Sequence, residues 1–202
     1  MRFGLDFTIF GPYADPVLLA DLAVEAEAAG WDGFFLWDHV ATTLDPLVTD
    51  PWITLAAIAA RTSHIRLGPM VTPLARRRMT KLARETVALD QLSGGRLVLG
   101  VGLGFDDERE FAALGDEGDR VIRARILDES LALLDQLWSG RPVSFAGRHL
   151  SVEAEPFLPR PLQQPRIPVW VCLLYTTPSP RDHSRYRVCR LLLENKVGGG
   201  GG

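Results

Sequence analysis

The chain has 202 residues, 47% hydrophobic and 23% charged, which is typical of one soluble globular domain. Its net charge of −3 argues against nucleic acid or an anionic membrane surface as the main partner. No apolar run approaches the ~20 residues of a transmembrane helix, and the first residues enter a strand pattern rather than a signal peptide. Two cysteines, Cys172 and Cys189, provide neither a disulfide framework nor metal-ligand spacing, so we expect a cytoplasmic protein without a metal site.

Short apolar runs alternate with helical patterns along the first 171 residues. Asp15-Pro16 and Asp50-Pro51 are each typical of a helix start, with Asp as the N-cap and Pro at the first helical position. The predicted strands lie at residues 3–7, 34–37, 65–68 (ending near 70–73), 96–101 and 169–171. The predicted helices lie at residues 16–29, 53–60, 81–92 and 121–138, and a small hairpin joins residues 143–145 to 149–152.

This alternation predicts a parallel sheet with right-handed crossovers, either a closed barrel or an open doubly wound sheet. In a dinucleotide-binding sheet, the glycine-rich turn follows the first strand. Here Gly102-Leu103-Gly104 follows the fourth strand, and the first turn, at residues 11–13, lacks the phosphate fingerprint. The sequence therefore favours a (β/α)8 TIM barrel that is incomplete, with about five of the eight strands such a barrel needs.

Residues 172–202 differ in character from residues 1–171. The segment contains five basic and two acidic residues, both cysteines, and five terminal glycines. It shows no strand run and no helix start, which is typical of a disordered terminus. Residues 173–182 also resemble translated sequencing-adapter DNA. We therefore divide the chain into a partial barrel at 1–171 and a non-native or disordered tail at 172–202.

Three motifs in the first 104 residues resemble the bacterial luciferase-like monooxygenase superfamily, whose members are flavin- or F420-dependent oxidoreductases on a (β/α) barrel. The resemblance covers roughly residues 3–171. The motifs are Trp37-Asp38-His39, residues 67–73, and Ser93-Gly94-Gly95-Arg96 followed by residues 97–104.

The resemblance assigns catalysis to the end of the second strand. His39 matches the family's strand-two histidine, and Asp38 is its neighbour. Independently, His39 is the one histidine at the carboxyl end of a predicted strand, where active sites of this fold lie, and an imidazole suits proton transfer near neutral pH. Asp38 is expected either to orient that imidazole or to bind the substrate.

The resemblance places a cofactor, FMN or coenzyme F420, at the same end of the barrel. Met70-Val71 falls where the family has a bulge with a non-prolyl cis peptide, and Thr72 follows it. Gly102 and Leu103 match positions that flank the cofactor, and Asp107 is expected to reach its side chain. The chain departs from the family after strand five, where Cys172 and two leucines replace a glycine-rich phosphate loop.

Charged runs near these motifs have simpler interpretations. Residues 76–78 are three consecutive arginines at a predicted helix start, and we expect them to be exposed and solvated rather than to attract an anionic tail. The acidic run between residues 106 and 119 is also expected to be a solvated face.

Two chemistries stay open for the parent enzyme. With FMN, oxygen activation gives monooxygenation, whereas F420 leaves hydride transfer to or from a small organic substrate. The alternative is a non-catalytic fragment or interaction protein without a bound cofactor. A small-molecule substrate is the expected partner, and a homodimer is possible.

Overall fold

Helices and strands alternate along the chain as the apolar pattern predicts. A computed structural model describes residues 1–104 and 110–172, together with the backbone of Arg187–Val188. The helices are α1 (Pro16–Ala28), α2 (Pro51–Arg61), α3 (Met79–Leu92) and α4 (Arg120–Trp138). The strands are β1 (Gly4–Phe7), β2 (Gly33–Leu36), β3 (Arg66–Pro69), β4 (Thr72–Pro73), β5 (Leu99–Gly102), β6 (Val143–Ala146), β7 (Ser151–Ala154), β8 (Val169–Val171) and β9 (Arg187–Val188).

The strands that lie between the helices form a curved parallel sheet. β1, β2 and β3 pair in that order, and β4, β5, β8 and β9 pair in a second parallel group. A parallel bridge between Leu67 and Leu97 joins the two groups. Because only residues 70 and 71 separate β3 from β4, the two are halves of one interrupted strand and the strand order follows the chain. This order is that of a barrel, whereas a doubly wound sheet reverses its strand order at one point. The described residues therefore form an incomplete (β/α) barrel, as predicted.

The helix starts follow the predicted Asp-Pro signals. The Asp15 carboxylate accepts a hydrogen bond from the Val17 backbone N–H at 2.8 Å. The Asp50 carboxylate accepts one from the Ile53 backbone N–H, also at 2.8 Å. Each cap satisfies one of the N–H groups that a helix leaves without an intrahelical partner.

The hydrophobic core lies between the sheet and the outer helices. Along β2, Phe34 and Leu36 are fully buried in this layer. Successive side chains of a strand point to opposite faces, so Phe35 faces the inside of the barrel. There its ring lies 5.5 Å from that of Trp170 in β8. The barrel interior at this level is therefore lined by aromatic rings.

Arg96, from the Ser-Gly-Gly-Arg motif, attaches the start of the fourth barrel strand to the end of α2. Its five N–H donors all have acceptors within 2.6–2.9 Å, among them the carbonyl oxygens of Ala59, Thr62 and Ile65. An arginine suits this position because its planar fork supplies five donors in fixed geometry, and positive charge stabilises the C-terminal end of a helix. Regular pairing in β5 then begins at Leu99, later than the predicted residue 96.

The antiparallel pair β6–β7 confirms the predicted hairpin, with Val143 opposite Ala154. The expectation of no strand in residues 172–202 is wrong at two residues, because β9 pairs with β8 in parallel and places Arg187 beside Trp170. An edge strand presents unpaired N–H and C=O groups to any extended segment, so apolar patterning does not predict such a pairing. The tail is otherwise outside the described residues, apart from Cys172.

Candidate active site

The candidate residues gather at the carboxyl ends of three neighbouring barrel strands. Asp38 and His39 follow β2, Thr72 opens β4, and Gly102 closes β5. Active sites of this fold are built at that end of the barrel, from the loops after the strands. Asp107, the remaining predicted cofactor residue, lies outside the described residues.

The Asp38 carboxylate is fully buried and holds four side chains together. It accepts hydrogen bonds from the Thr72 hydroxyl at 2.7 Å and from the Trp52 indole at 3.2 Å. Its Oδ1 atom lies 3.2 Å from Arg76 Nη2 and 2.5 Å from Arg77 Nη2. A buried carboxylate requires such partners, because removing a charge from water costs several kcal/mol when it is left unpaired.

The expectation that residues 76–78 are exposed is wrong for two of the three arginines. The side chain of Arg76 is 4% exposed and that of Arg77 is 21% exposed, whereas Arg78 is exposed as predicted. The first two turn inward because they neutralise a buried carboxylate on another element. A run of like charges contains no signal for such a distant partner.

Glu110 is the main functional candidate that sequence reasoning missed, and it corrects the view of the acidic run as only a solvated face. It is 3% exposed. Its Oε2 lies 3.0 Å from His39 Nδ1, its Oε1 accepts from the Val40 N–H at 2.5 Å, and Arg76 Nη1 lies 2.7 Å from Oε1. The sequence offers one weak indication that Glu110 is buried: it is followed directly by the apolar Phe111, and Phe111 is fully buried in the structure.

The surroundings of Glu110 favour its ionised form. Burial by itself raises the pKa of Glu110, but the contacts from His39, Val40 and Arg76 outweigh it and lower that pKa below its usual value. An ionised carboxylate only accepts hydrogen bonds, so the proton between the two groups belongs to His39 Nδ1. Glu110 therefore fixes the tautomer of the imidazole.

His39 is held on one side and open on the other. Its side chain is 24% exposed, and in the described part of the chain its Nε2 atom has no hydrogen-bond partner. The imidazole lies 5.8 Å from the Trp37 ring and 6.4 Å from the Phe10 ring. Glu110, rather than Asp38, orients the imidazole, since the Asp38 carboxylate is occupied by Thr72, Trp52 and the two arginines.

The strand interruption beside these residues packs closely against the glycines of β5. The Met70–Val71 peptide is cis, as predicted. A Cβ atom at Gly102 would lie 2.8 Å from Val71 Cγ2, and one at Gly100 would lie 2.3 Å from the Pro69 carbonyl oxygen. Glycine is required where another group approaches the backbone this closely.

Two other features of the described residues bear on the class of protein. They contain no group of three or more His, Cys, Asp or Glu side chains arranged to hold a metal ion. None of their helices is long and apolar enough to cross a membrane.

A family model described as luciferase-like monooxygenase matches residues 11–172. The chain belongs to the luciferase-like monooxygenase family. Among curated relatives, it is 33% identical over 184 residues to the F420-dependent glucose-6-phosphate dehydrogenase of Nakamurella multipartita, covering 85% of this chain and 50% of that protein. It is 34% identical over 152 residues to the F420-dependent hydroxymycolic acid dehydrogenase of Mycobacterium tuberculosis, covering 72% of this chain and 42% of that protein.

Solved structures of the family share the fold. The monooxygenase RslO1 from Streptomyces bottropensis superimposes with a TM-score of 0.76 at 28% identity, covering 85% of this chain and 53% of that one. The F420-dependent tetrahydromethanopterin reductase from Methanopyrus kandleri gives a TM-score of 0.72 at 25% identity, covering 85% and 50%. The chain spans about half the length of the curated relatives it matches.

Proposed function

We propose that this luciferase-like chain takes part in a cofactor-dependent oxidoreductase reaction in which F420 exchanges a hydride with a small organic substrate and His39 exchanges the proton. The observation that carries the proposal is the His39–Glu110 contact of 3.0 Å. A buried carboxylate holds Nδ1 and leaves Nε2 open at the end of the barrel where this fold performs its chemistry.

The residues around the interrupted strand fit a flat ring system. Because Gly100 and Gly102 have no Cβ atom, β5 packs directly against Pro69, Met70 and Val71 and fixes the position of the interruption. Met70, Val71 and Thr72 on one strand, with Gly102 and Leu103 on the next, would hold the ring. When bound, F420 supplies a carbon centre that accepts or donates a hydride.

His39 performs the acid–base part of this proposal. With Nδ1 protonated and held by Glu110, a neutral imidazole offers the Nε2 lone pair as a base toward a substrate hydroxyl. In the reverse direction, the imidazolium returns that proton from Nε2. Glu110 stabilises the charge that forms on the ring in either direction, in the manner of the carboxylate in a catalytic triad.

The similar proteins support F420 over FMN. Several curated relatives at 32–34% identity are named as F420-dependent dehydrogenases. The second candidate, an FMN-dependent monooxygenase, is supported by the likeness to the monooxygenase RslO1 at 28% identity. A fragment that binds no cofactor is the remaining alternative, and the replacement of the phosphate loop at Cys172 favours it.

The test compares two histidine variants of the full 202-residue chain in single-turnover reduction of F420. The substrates are a panel of secondary alcohols and sugar phosphates, and the deazaflavin absorbance reports the reaction. His39→Gln should lower the rate about 10²–10⁴-fold, the usual contribution of a general base, without abolishing F420 binding. The control His64→Gln changes an exposed histidine and should leave the rate unchanged. Equal rates in the two variants, or no turnover by the unaltered chain with any substrate, would contradict the proposal.

A further inference from the structure

Asp6, in the middle of β1, faces the inside of the barrel. Its neighbours Leu5 and Phe7 pack against the hydrophobic core, so the side chain between them points to the opposite face of the sheet. Asp6 pairs in register with Phe35, whose ring also faces the interior. Asp6 is exposed to solvent.

A tryptophan joins Asp6 to the candidate active site. The Trp37 indole Nε1–H donates a hydrogen bond to Asp6 Oδ2 at 3.1 Å. The same indole lies 5.8 Å from the imidazole of His39 and 5.9 Å from the ring of Phe10, measured between ring centroids. Trp37 therefore contacts Asp6 and lies beside the imidazole of His39.

The charge of Asp6 is not compensated within the described residues. Asp38 and Glu110 each contact arginine, whereas no lysine, arginine or histidine of the described chain forms an ion pair with Asp6. Removal of water by the surrounding protein raises the pKa of Asp6 to about 6, despite the hydrogen bond from Trp37 that lowers it. A cation beside Asp6 would therefore pair with a carboxylate that no basic side chain of the described residues neutralises.

We propose that Asp6 and Trp37 form a binding site for the protonated nitrogen of an organic ammonium substrate. The carboxylate supplies a charge-assisted hydrogen-bond acceptor, and the aromatic rings beside it supply faces that attract a cation. The Phe35 and Trp170 rings, 5.5 Å apart, lie on the same interior surface. The inference rests on the proposed function in taking this ligand to be the substrate.

Binding of two small probes to the full chain, without any cofactor, tests the site. Benzylammonium and benzyl alcohol have similar size and share an aromatic ring, but the first carries a positive charge at pH 7.5. Calorimetry should show that benzylammonium binds about tenfold more tightly, the effect of one charge-assisted contact. Asp6→Asn should reduce this preference to less than about twofold. Glu25→Gln removes the same charge from an exposed position on α1 and should preserve it.

A second variant and a pH series cover the case in which Asp6→Asn fails to fold. Trp37→Phe removes the N–H donor but not the carboxylate, so the preference for benzylammonium should persist. In the unaltered chain the preference for benzylammonium should fall as the pH is lowered from 7.5 to 5. His39→Gln removes the neighbouring imidazole, so an equal fall in that variant would assign the pH dependence to Asp6. Equal binding of the two probes, binding of neither, or a preference that survives Asp6→Asn would overturn the inference. Because no cofactor is present, these results are independent of whether F420 is turned over.

Discussion

Replacing Glu110 with alanine should destabilise the protein strongly, because that carboxylate contacts His39, Arg76 and the backbone N–H groups of residues 40 and 41 at once. The substitution removes the acceptor of the Val40 N–H, the partner of His39 Nδ1 and one counter-charge of Arg76. The Arg76 side chain is only 4% exposed, so water replaces the lost contact poorly. Removing one partner of a buried ion pair costs about 3–5 kcal/mol, and we expect a loss of that size in the free energy of unfolding.

Urea denaturation of the unaltered protein and of Glu110→Ala measures this loss, provided that the slope of the unfolding free energy against urea concentration is the same for both. Glu85→Ala is the matched control, since its carboxylate pairs with an exposed Lys81 on α3 and should cost less than about 1 kcal/mol. Nitrogen chemical shifts of His39 give a second measurement: the unaltered protein should carry the proton on Nδ1, and Glu110→Ala should lose that preference. A loss no larger than that of Glu85→Ala, with the tautomer unchanged, would refute the reasoning.

Three further predictions concern the framework that positions the site. Arg96→Lys replaces five hydrogen-bond donors with three and should lower the free energy of unfolding by about 2–4 kcal/mol, measured by urea denaturation. The control Arg78→Lys changes an exposed arginine and should lower it by less than about 0.5 kcal/mol. Burial raises the pKa of Glu27, but three backbone N–H donors lower it overall, below its ordinary value of 4.5. The ionised carboxylate therefore stabilises the folded protein above pH 4.5, and this stabilisation is lost as the pH falls through the lower pKa of the folded state. The difference in unfolding free energy between the unaltered protein and Glu27→Gln should shrink below pH 4.5, and a constant difference would contradict this prediction. Gly68→Ala places a Cβ atom 1.8 Å from the Val98 carbonyl oxygen and should lower the melting temperature by several degrees, with an unchanged temperature contradicting the geometry.

The parts of the fold that the sequence predicts are those with local signals. Asp15 and Asp50 cap helices because their carboxylates reach N–H groups two or three residues away. The order of strands follows from the alternation of apolar runs with helical patterns. The prediction of a cis peptide at Met70–Val71 rests on the family resemblance, since nothing in the local sequence requires that bond to be cis.

The parts that the sequence does not predict depend on distant partners. Glu110 lies in an acidic run that resembles a solvated surface, yet its partner His39 is 71 positions earlier in the chain. Arg76 and Arg77 turn inward because of Asp38, which is almost 40 positions away. Such pairs form because the ends of different strands meet at one edge of the sheet. The apolar periodicity of a single helix or strand cannot predict them.

The most direct test of the proposed function is a binding titration of the full 202-residue chain with F420 and, separately, with FMN. Cofactor fluorescence gives both dissociation constants, and Gly102→Val, which places a side chain against Val71, tests whether binding occurs at the interrupted strand. We expect F420 to bind at least about tenfold more tightly than FMN, and the variant to weaken F420 binding by a similar factor. Tighter binding of FMN would favour the monooxygenase, and binding of neither cofactor would contradict an oxidoreductase role for this chain.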